Sequence, residues 1–283
     1  MSDTSVGYLH GDYPVAIDTT YIKRVQSVDL NRDLGKQTTW ELGAASPAGI
    51  DDGPNSYTGS FRWFPIDLQV EQLLAGVAST VNVSFSEYAS ATAVTLQTLT
   101  QGISGARLTG VEYSCSAGGE YSANANFEGT GWDADGATTI TAVAPSGVGA
   151  YRSPVVHVEM GAVPAARVQS FRLAAGSRSN KMFTLSQADP VGNVADRPEI
   201  TLEVVWYEST AASGLAELST ATTCEIQIGS AWDVAGNIKH VCIGMQSAGE
   251  AARGSVQGWA TVTHRFVSAG DSTHHGLESS IAT

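Results

Sequence analysis

Along much of this chain apolar and polar residues alternate one for one, the period of a strand with a single buried face. Tyr57, Gly59, Phe61 and Trp63 alternate with Thr58, Ser60 and Arg62. Val111, Tyr113 and Cys115 alternate with Glu112 and Ser114; Tyr121, Ala123, Ala125 and Phe127 alternate with Ser122, Asn124, Asn126 and Glu128. These last two runs flank Ser116-Ala-Gly-Gly119 and predict a hairpin. Later, Ile200, Leu202, Val204 and Trp206 alternate with Thr201 and Glu203. Helical periodicity is confined to 66–75, closed by Gly76, and to a weaker counterpart at 211–218. The pattern predicts an all-β fold with one or two short helices.

The pattern occurs twice. Arg24-Val-Gln-Ser27 returns as Arg167-Val-Gln-Ser170, a shift of 143 positions. Held without a gap from 24 to 64, that shift pairs Leu30 with Leu173, Leu42 with Leu185, Ala45 with Ala188 and Pro47 with Pro190. It also pairs Gly49 with Gly192, Thr58 with Thr201 and Trp63 with Trp206. There are 11 identities in 41 positions, against about three by chance at ordinary residue frequencies. Trp40 falls on Phe183, which places Trp40 with Trp63 and Trp206 among the expected core positions. Further on, Ser116-Ala-Gly118 aligns with Ser247-Ala-Gly249 at a shift of 131, so the second copy is expected to be about 12 residues shorter. The organisation expected is an N-terminal arm 1–20, a first domain 21–150, a turn-rich linker 151–163, a second domain 164–270 and a C-terminal tail 271–283.

Two sibling sheets on one chain have a physical consequence. An open sheet edge is a template for another strand, and edges vanish only when sheets close on themselves. Copies that add edge to edge can continue until a ring shuts. A closed ring of six such domains would require three chains, with threefold chain symmetry and pseudo-sixfold domain symmetry.

Composition narrows the partners. Charged residues make up only 15% of the 283, and the formal net charge is −13, whereas a nucleic-acid binder is expected to carry the opposite sign. Residues 24–150 hold 13 acidic and 5 basic side chains, net −8; residues 167–270 hold 9 and 8, net −1. No apolar run is long enough to span a bilayer. The opening MSDTSVGYLHGDYP has neither the basic start nor the apolar core expected of a signal peptide. Cys115, Cys224 and Cys242 lack metal-site spacing and read as small buried hydrophobes of a cytoplasmically assembled protein.

Fragments that suggest chemistry are incomplete. Asp133-Ala-Asp135-Gly136 begins like a calcium loop but lacks the later ligands and the distal Glu. His10, His157, His240, His264 and the pair His274-His275 show no triad or zinc spacing. Gly102-Ile-Ser-Gly105 lacks the Lys and following helix of a phosphate loop. The expectation is a non-enzymatic protein with no catalytic residue, metal or cofactor.

The order of elements resembles the tail tube proteins of bacteriophages and related contractile machines. It runs from Val25-Gln-Ser-Val-Asp-Leu30 through Trp40-Glu-Leu-Gly43, the strand 57–64 and the Pro65–Gly76 helix segment to the hairpin 111–132. The resemblance covers roughly 21–270, and the tandem arrangement is similar to tube proteins with two such domains per chain. It implies two tail-tube-like β-sandwich or barrel domains, homotrimeric pseudo-hexameric rings, and stacking of rings into a tube through which DNA passes without specific binding. It also implies location in the virion tail, with further copies of the chain as partners. Other tail proteins would join them: tape measure, terminator, distal tail protein and, in contractile tails, a sheath. Two rival readings use the same sheets. One is a tail-tip protein capping the tube; the other is a tandem carbohydrate-binding module, which would display aromatic platforms in its loops.

Under this resemblance, polar strand faces line the lumen: Asp29, Thr58, Ser60, Arg62, Glu112, Asn124, Asn126, Glu128, Glu203, Gln257 and Thr261. Small and acidic side chains leave phosphates unbound, whereas each Lys or Arg adds attraction through counterion release. The long loops 44–56 and 187–199 are expected to meet the adjacent ring through Asp51, Asp52, Asn55, Asp189, Asn193 and Asp196.

Overall fold

In a computed structural model of the chain, the described residues are 14–42, 45–75, 82–84, 94–98, 101–134, 150–160, 167–176, 179–185, 187–195, 199–207, 223–229, 235–253, 260–268 and 277–281. The chain is all-β, built of antiparallel sheets, with one short α-helix among the described residues. Its first part contains β1 (Ala16–Ile17), β2 (Thr20–Tyr21), β3 (Val25–Asp33), β4 (Lys36–Thr39), β5 (Gly49–Asp52) and β6 (Ser56–Trp63). Then come α1 (Gln69–Ala75), β7 (Asn82–Ser84), β8 (Val94–Gln97), β9 (Gly102–Ser116), β10 (Ser122–Gly129) and β11 (Gly131–Asp133). The second part contains β12 (Val156–Met160), β13 (Val168–Gly176), β14 (Ser179–Met182), β15 (Gly192–Ala195) and β16 (Glu199–Tyr207). It ends with β17 (Thr223–Ile228), β18 (Ile238–Ile243), β19 (Met245–Arg253), β20 (Thr261–Ser268) and β21 (Leu277–Ile281).

Eight strands form one continuous path in the order β19-β20-β16-β13-β9-β10-β6-β3. Its two halves are the same four-strand unit. β3 pairs with β6 from Val25 opposite Trp63, and Gln26 bulges before Ser27 meets Arg62. β13 repeats this on β16, from Val168 opposite Trp206, with Gln169 bulged before Ser170 meets Val205. The hairpins agree equally well. Phe127 pairs with Leu108 after a bulge at Thr109, and Phe266 pairs with Ser247 after a bulge at Ala248. Bulges disturb a ladder locally and tend to be kept as built features, so their coincidence fixes the equivalence of the halves.

This equivalence corrects the alignment of the second hairpin. The shift there is 139, not 131, so the second copy is shorter by four residues at this point. Ser247-Ala-Gly249 lies inside β19 at the bulge and is not the hairpin turn. The tripeptide matched because small residues suit both a turn and a bulge. In the first copy, Ser116–Gly119 does turn, with Gly118 at φ +78° and the Gly119 amide donating to the Ser116 carbonyl.

A second layer covers the apolar face. In the first copy it is β2-β1-β8-β9-β11, where only the start of β9 takes part. In the second it is β12-β17-β18-β21, extended by β7 from the first copy. β9 passes from one layer to the other at Gly105, whose φ is +59°. A β-carbon there would sit 2.2 Å from the Thr130 hydroxyl. At the matching point of the second copy, Gly244 at φ +67° separates β18 from β19. Left-handed backbone of this kind is cheap only for glycine.

The repeat therefore reaches past the expected boundaries. Ile17 pairs with Leu96 in the segment expected as an arm, and Met160 pairs with Cys224 in the segment expected as a linker. Residues 277–281, within the expected tail, form a strand on β18 with Leu277 and Ser279 buried. Strands of two to five residues offer too few alternations to register as a period. The expected helix forms as α1, with the Gln69 amide on the Asp67 carboxylate at 3.1 Å; its counterpart at 211–218 lies outside the described residues.

One hydrophobic core runs through both copies. Phe61 stacks on Phe127, Tyr113 on Tyr121, and Tyr121 meets Phe171 across the seam between the copies. Trp63 and Trp206 are buried as expected, but Trp40 is 62% exposed. Its apolar match with Phe183 preserves a surface position.

Candidate functional site

The face opposite the core is a single polar surface. Ser27, Arg62, Asn124, Glu112, Ala174, Thr201, Val267 and Gln246 stand opposite one another in a row that crosses all eight strands. The alternation that sends Phe61, Ala125 and Leu202 into the core sends Asp29, Thr58, Ser60, Asn126, Glu128, Glu203 and Thr261 to this same face. Ten of the eleven residues expected to line a lumen are thus brought together; Gln257 lies outside the described residues.

Three of the acidic groups are paired, Glu128 among them with Lys181 at 3.9 Å. Arg172 donates to Glu112 at 2.7 Å, and Arg265 donates to Glu203 at 3.2 Å. Arg62 reaches Ser122 at 3.3 Å. The face is consequently less acidic than the count of carboxylates suggests. Sequence reasoning passed over Arg172 and Arg265, although each alternates with buried neighbours, Phe171 with Leu173 and His264 with Phe266. That signal was sufficient to place them here.

The eight-strand path ends at two edges. Among the described residues, β3 is paired only with β6, and β19 only with β20. These edges correspond to strands that are paired in the middle of the molecule. β13, the counterpart of β3, runs antiparallel to β9, the counterpart of β19, from Ser170 opposite Ser116 to Gly176 opposite Gly110. Every residue of β19 after Met245 is exposed.

Each of the segments expected as a long loop holds one strand of a paired ribbon, β5 within 44–56 and β15 within 187–199. Lys36 faces Asp52 across β4 and β5; Ser179 faces Ala195 in the same register across β14 and β15. Lys36 is ion-paired with Asp52, and Thr39 is hydrogen-bonded to Asp51. The exposed large apolar residues among those described are Leu34, Trp40, Leu42 and Ile50 on the first ribbon and its base, and Met182, Phe183, Leu185 and Val191 on the second. These groups, confined to the two ribbons and their bases, are the candidate contact surface among the described residues.

Some residues expected to reach an adjacent ring are bound within the chain. Asp189 accepts from Asn55 at 2.6 Å and from the Tyr57 hydroxyl at 2.5 Å, while the Asn55 amide donates to the Ala188 carbonyl. The hydrogen bonds from Asn55 and Tyr57 hold the Asp189 carboxyl below its usual range. Asn193 is buried and donates to the Glu128 carbonyl at 3.2 Å. The second ribbon is therefore seated on the first copy. Asp51 and Asp52 stand exposed on the first ribbon, and Asp196 lies outside the described residues.

Titratable groups lie deep between the layers. His240 is fully buried, 2.7 Å from the Tyr121 hydroxyl and 2.8 Å from the Ser279 hydroxyl. Burial lowers its pKa to about 3. Glu71 accepts from the Tyr113 hydroxyl at 2.8 Å, and burial pushes its carboxyl up to about 7. Tyr113 packs against the His240 ring with centroids 4.3 Å apart. Burial also raises the thiols, Cys115 to about 11 and Cys242 to about 12, which opposes thiolate formation. Among the described residues no group of three His, Cys, Asp or Glu is placed to hold a metal ion, and no helix is long and apolar enough to cross a membrane. A cleft of about 220 Å³ opens at the seam between copies, lined by hydroxyls such as Ser116, Ser153 and Ser170 and by apolar groups such as Val156, Val158 and Phe171.

No family model matches the chain, and no curated protein matches it either.

Proposed function

We propose that the chain is a structural protein of a phage tail whose copies join into rings that stack as a tube for DNA passage. The observation that carries this reading is the internal junction. Two equivalent four-strand units are already joined β13 to β9, and the chain leaves the corresponding edges, β3 and β19, without a paired strand among the described residues. A contact that repeats head to tail propagates until it closes, and closure removes the open edges that otherwise invite uncontrolled pairing. Three chains supply six units.

In such a ring the polar face of the sheet lines the bore. Its hydroxyls, amides and ion-paired carboxylates give DNA little to hold, while Arg62, which reaches Ser122, adds some attraction for phosphate. The ribbons project Trp40, Leu42, Phe183 and Leu185, and stacking of rings removes these groups from water. Burial of apolar area at about 25 cal/mol per Å² gives that stacking a driving force. The apolar ribbons favour tube body over a carbohydrate module, because among the described residues the exposed aromatics Trp40 and Phe183 sit on separate ribbons with aliphatic neighbours.

Native mass spectrometry and negative-stain electron microscopy of the purified chain test the reading. Three-chain rings or long hollow tubes support it. A chain that stays monomeric at high concentration refutes it.

A further inference from the structure

The internal junction also supplies a register for the external one. β13 lies against β9 with Arg172 opposite Ser114, Ala175 opposite Val111 and Gly176 opposite Gly110. The equivalences fixed by the bulges carry β13 onto β3 and β9 onto β19. We propose that β19 of one chain accepts β3 of a second copy in this register, setting Asp29 opposite Arg253 and Arg32 opposite Glu250. The proposal rests on the ring reading above and assigns its partner residues.

Charge complementarity supports the choice of occupant. All four side chains are exposed on edges without a paired neighbour among the described residues, and both cross-strand pairs bring opposite charges together. Opposite charges directly across a ladder stabilise it, whereas like charges destabilise it. Glu250 also lies 3.5 Å from the His264 ring, so the Asp29–Arg253 pair is the cleaner probe.

The polarity of the two junctions is inverted. Inside the chain, the cation Arg172 comes from β13 and the anion Glu112 from β9. Outside, the anion Asp29 comes from β3 and the cation Arg253 from β19. Setting β3 on β9 would bring Asp29 beside Glu112; setting β13 on β19 would put Arg172 opposite Arg253. Both wrong pairings meet like charge, so the inversion selects the alternation of first and second copies around the ring.

The test is a charge swap in the full chain, using D29R, R253D and the double variant. The readout is the chain concentration at which half the material is in rings, with circular dichroism checking that each variant folds. Each single variant should raise that concentration by about tenfold or more, and the double variant should return it to near the wild-type value. If either single variant misfolds, the R32E and E250R pair provides the second swap. Single variants that assemble normally, or a double variant no better than the singles, would overturn this register while wild-type rings preserve the ring reading. A wild-type chain that forms no ring overturns both.

Discussion

Tyr121 on β10 of the first copy and His240 on β18 of the second share a 2.7 Å hydrogen bond, with both side chains fully buried. The bond ties the polar sheet of one copy to the covering layer of the other. The neutral imidazole needs both partners it has, the Tyr121 hydroxyl on Nε2 and the Ser279 hydroxyl on Nδ1. A charged imidazolium in this place would be desolvated, with no carboxylate against it among the described residues.

Acid should therefore loosen the seam. His240 protonates at about 3 in the folded chain, against an ordinary 6.5. As pH falls from 6.5 towards 3, the unfolded chain binds a proton that the folded chain refuses, so this contribution to stability declines by up to roughly 4 kcal/mol. Chemical denaturation of H240Q and the parent chain at pH 4 and pH 7 measures it. The parent should lose more stability on acidification than the variant; equal losses would place the acid sensitivity elsewhere.

Glu71 acts with the opposite sign. Its folded pKa of about 7 exceeds the ordinary 4.5, so stability falls as pH rises from 4.5 through 7 and levels above. E71Q retains an acceptor for the Tyr113 hydroxyl and removes the buried charge. It should melt later than the parent at pH 8, by about 1–3 kcal/mol, and match it below pH 4.5. An E71Q protein destabilised at pH 8 would show the carboxylate to be held by a charge partner.

Gly105 allows β9 to serve both layers. G105A sets a β-carbon against the Thr130 hydroxyl in left-handed backbone, and should cost about 1–3 kcal/mol in denaturation midpoints. G105A with T130A relieves the contact but not the backbone, so it should recover only part of that loss. Full recovery would mean that the backbone conformation carries no cost.

The ribbons should separate folding from stacking. W40S with L42S removes apolar groups that touch little within the chain, so the thermal transition should stay within about 0.5 kcal/mol of the parent. Single rings should still form, while long tubes should be lost from electron micrographs. Tubes of normal length would remove the ribbons from the ring-to-ring contact.

Much of this architecture was legible in the alternation of residues. The faces of β6, β9, β10 and β16 follow directly from it, because half-buried strands of eight or more residues give several periods to read. The repeat was visible through Arg24-Val-Gln-Ser27 and its return at Arg167, where the bulges at Gln26 and Gln169 explain why that tetrapeptide is shared. β12 and β21 were missed because they are short and find their partners tens of residues away. Trp40 was misplaced because similarity between copies reports equivalent position, and equivalent positions can be outside as well as inside. Arg172 and Arg265 were readable but overlooked in favour of the acidic total.

A cryo-electron-microscopy reconstruction of assembled material tests the central claim most directly. The account expects rings of three chains in which β19 of each chain continues, strand against strand, into β3 of the next, around a bore lined by the face carrying Asn124 and Glu203. Rings closed through other surfaces, with β3 and β19 still facing solvent, would contradict it.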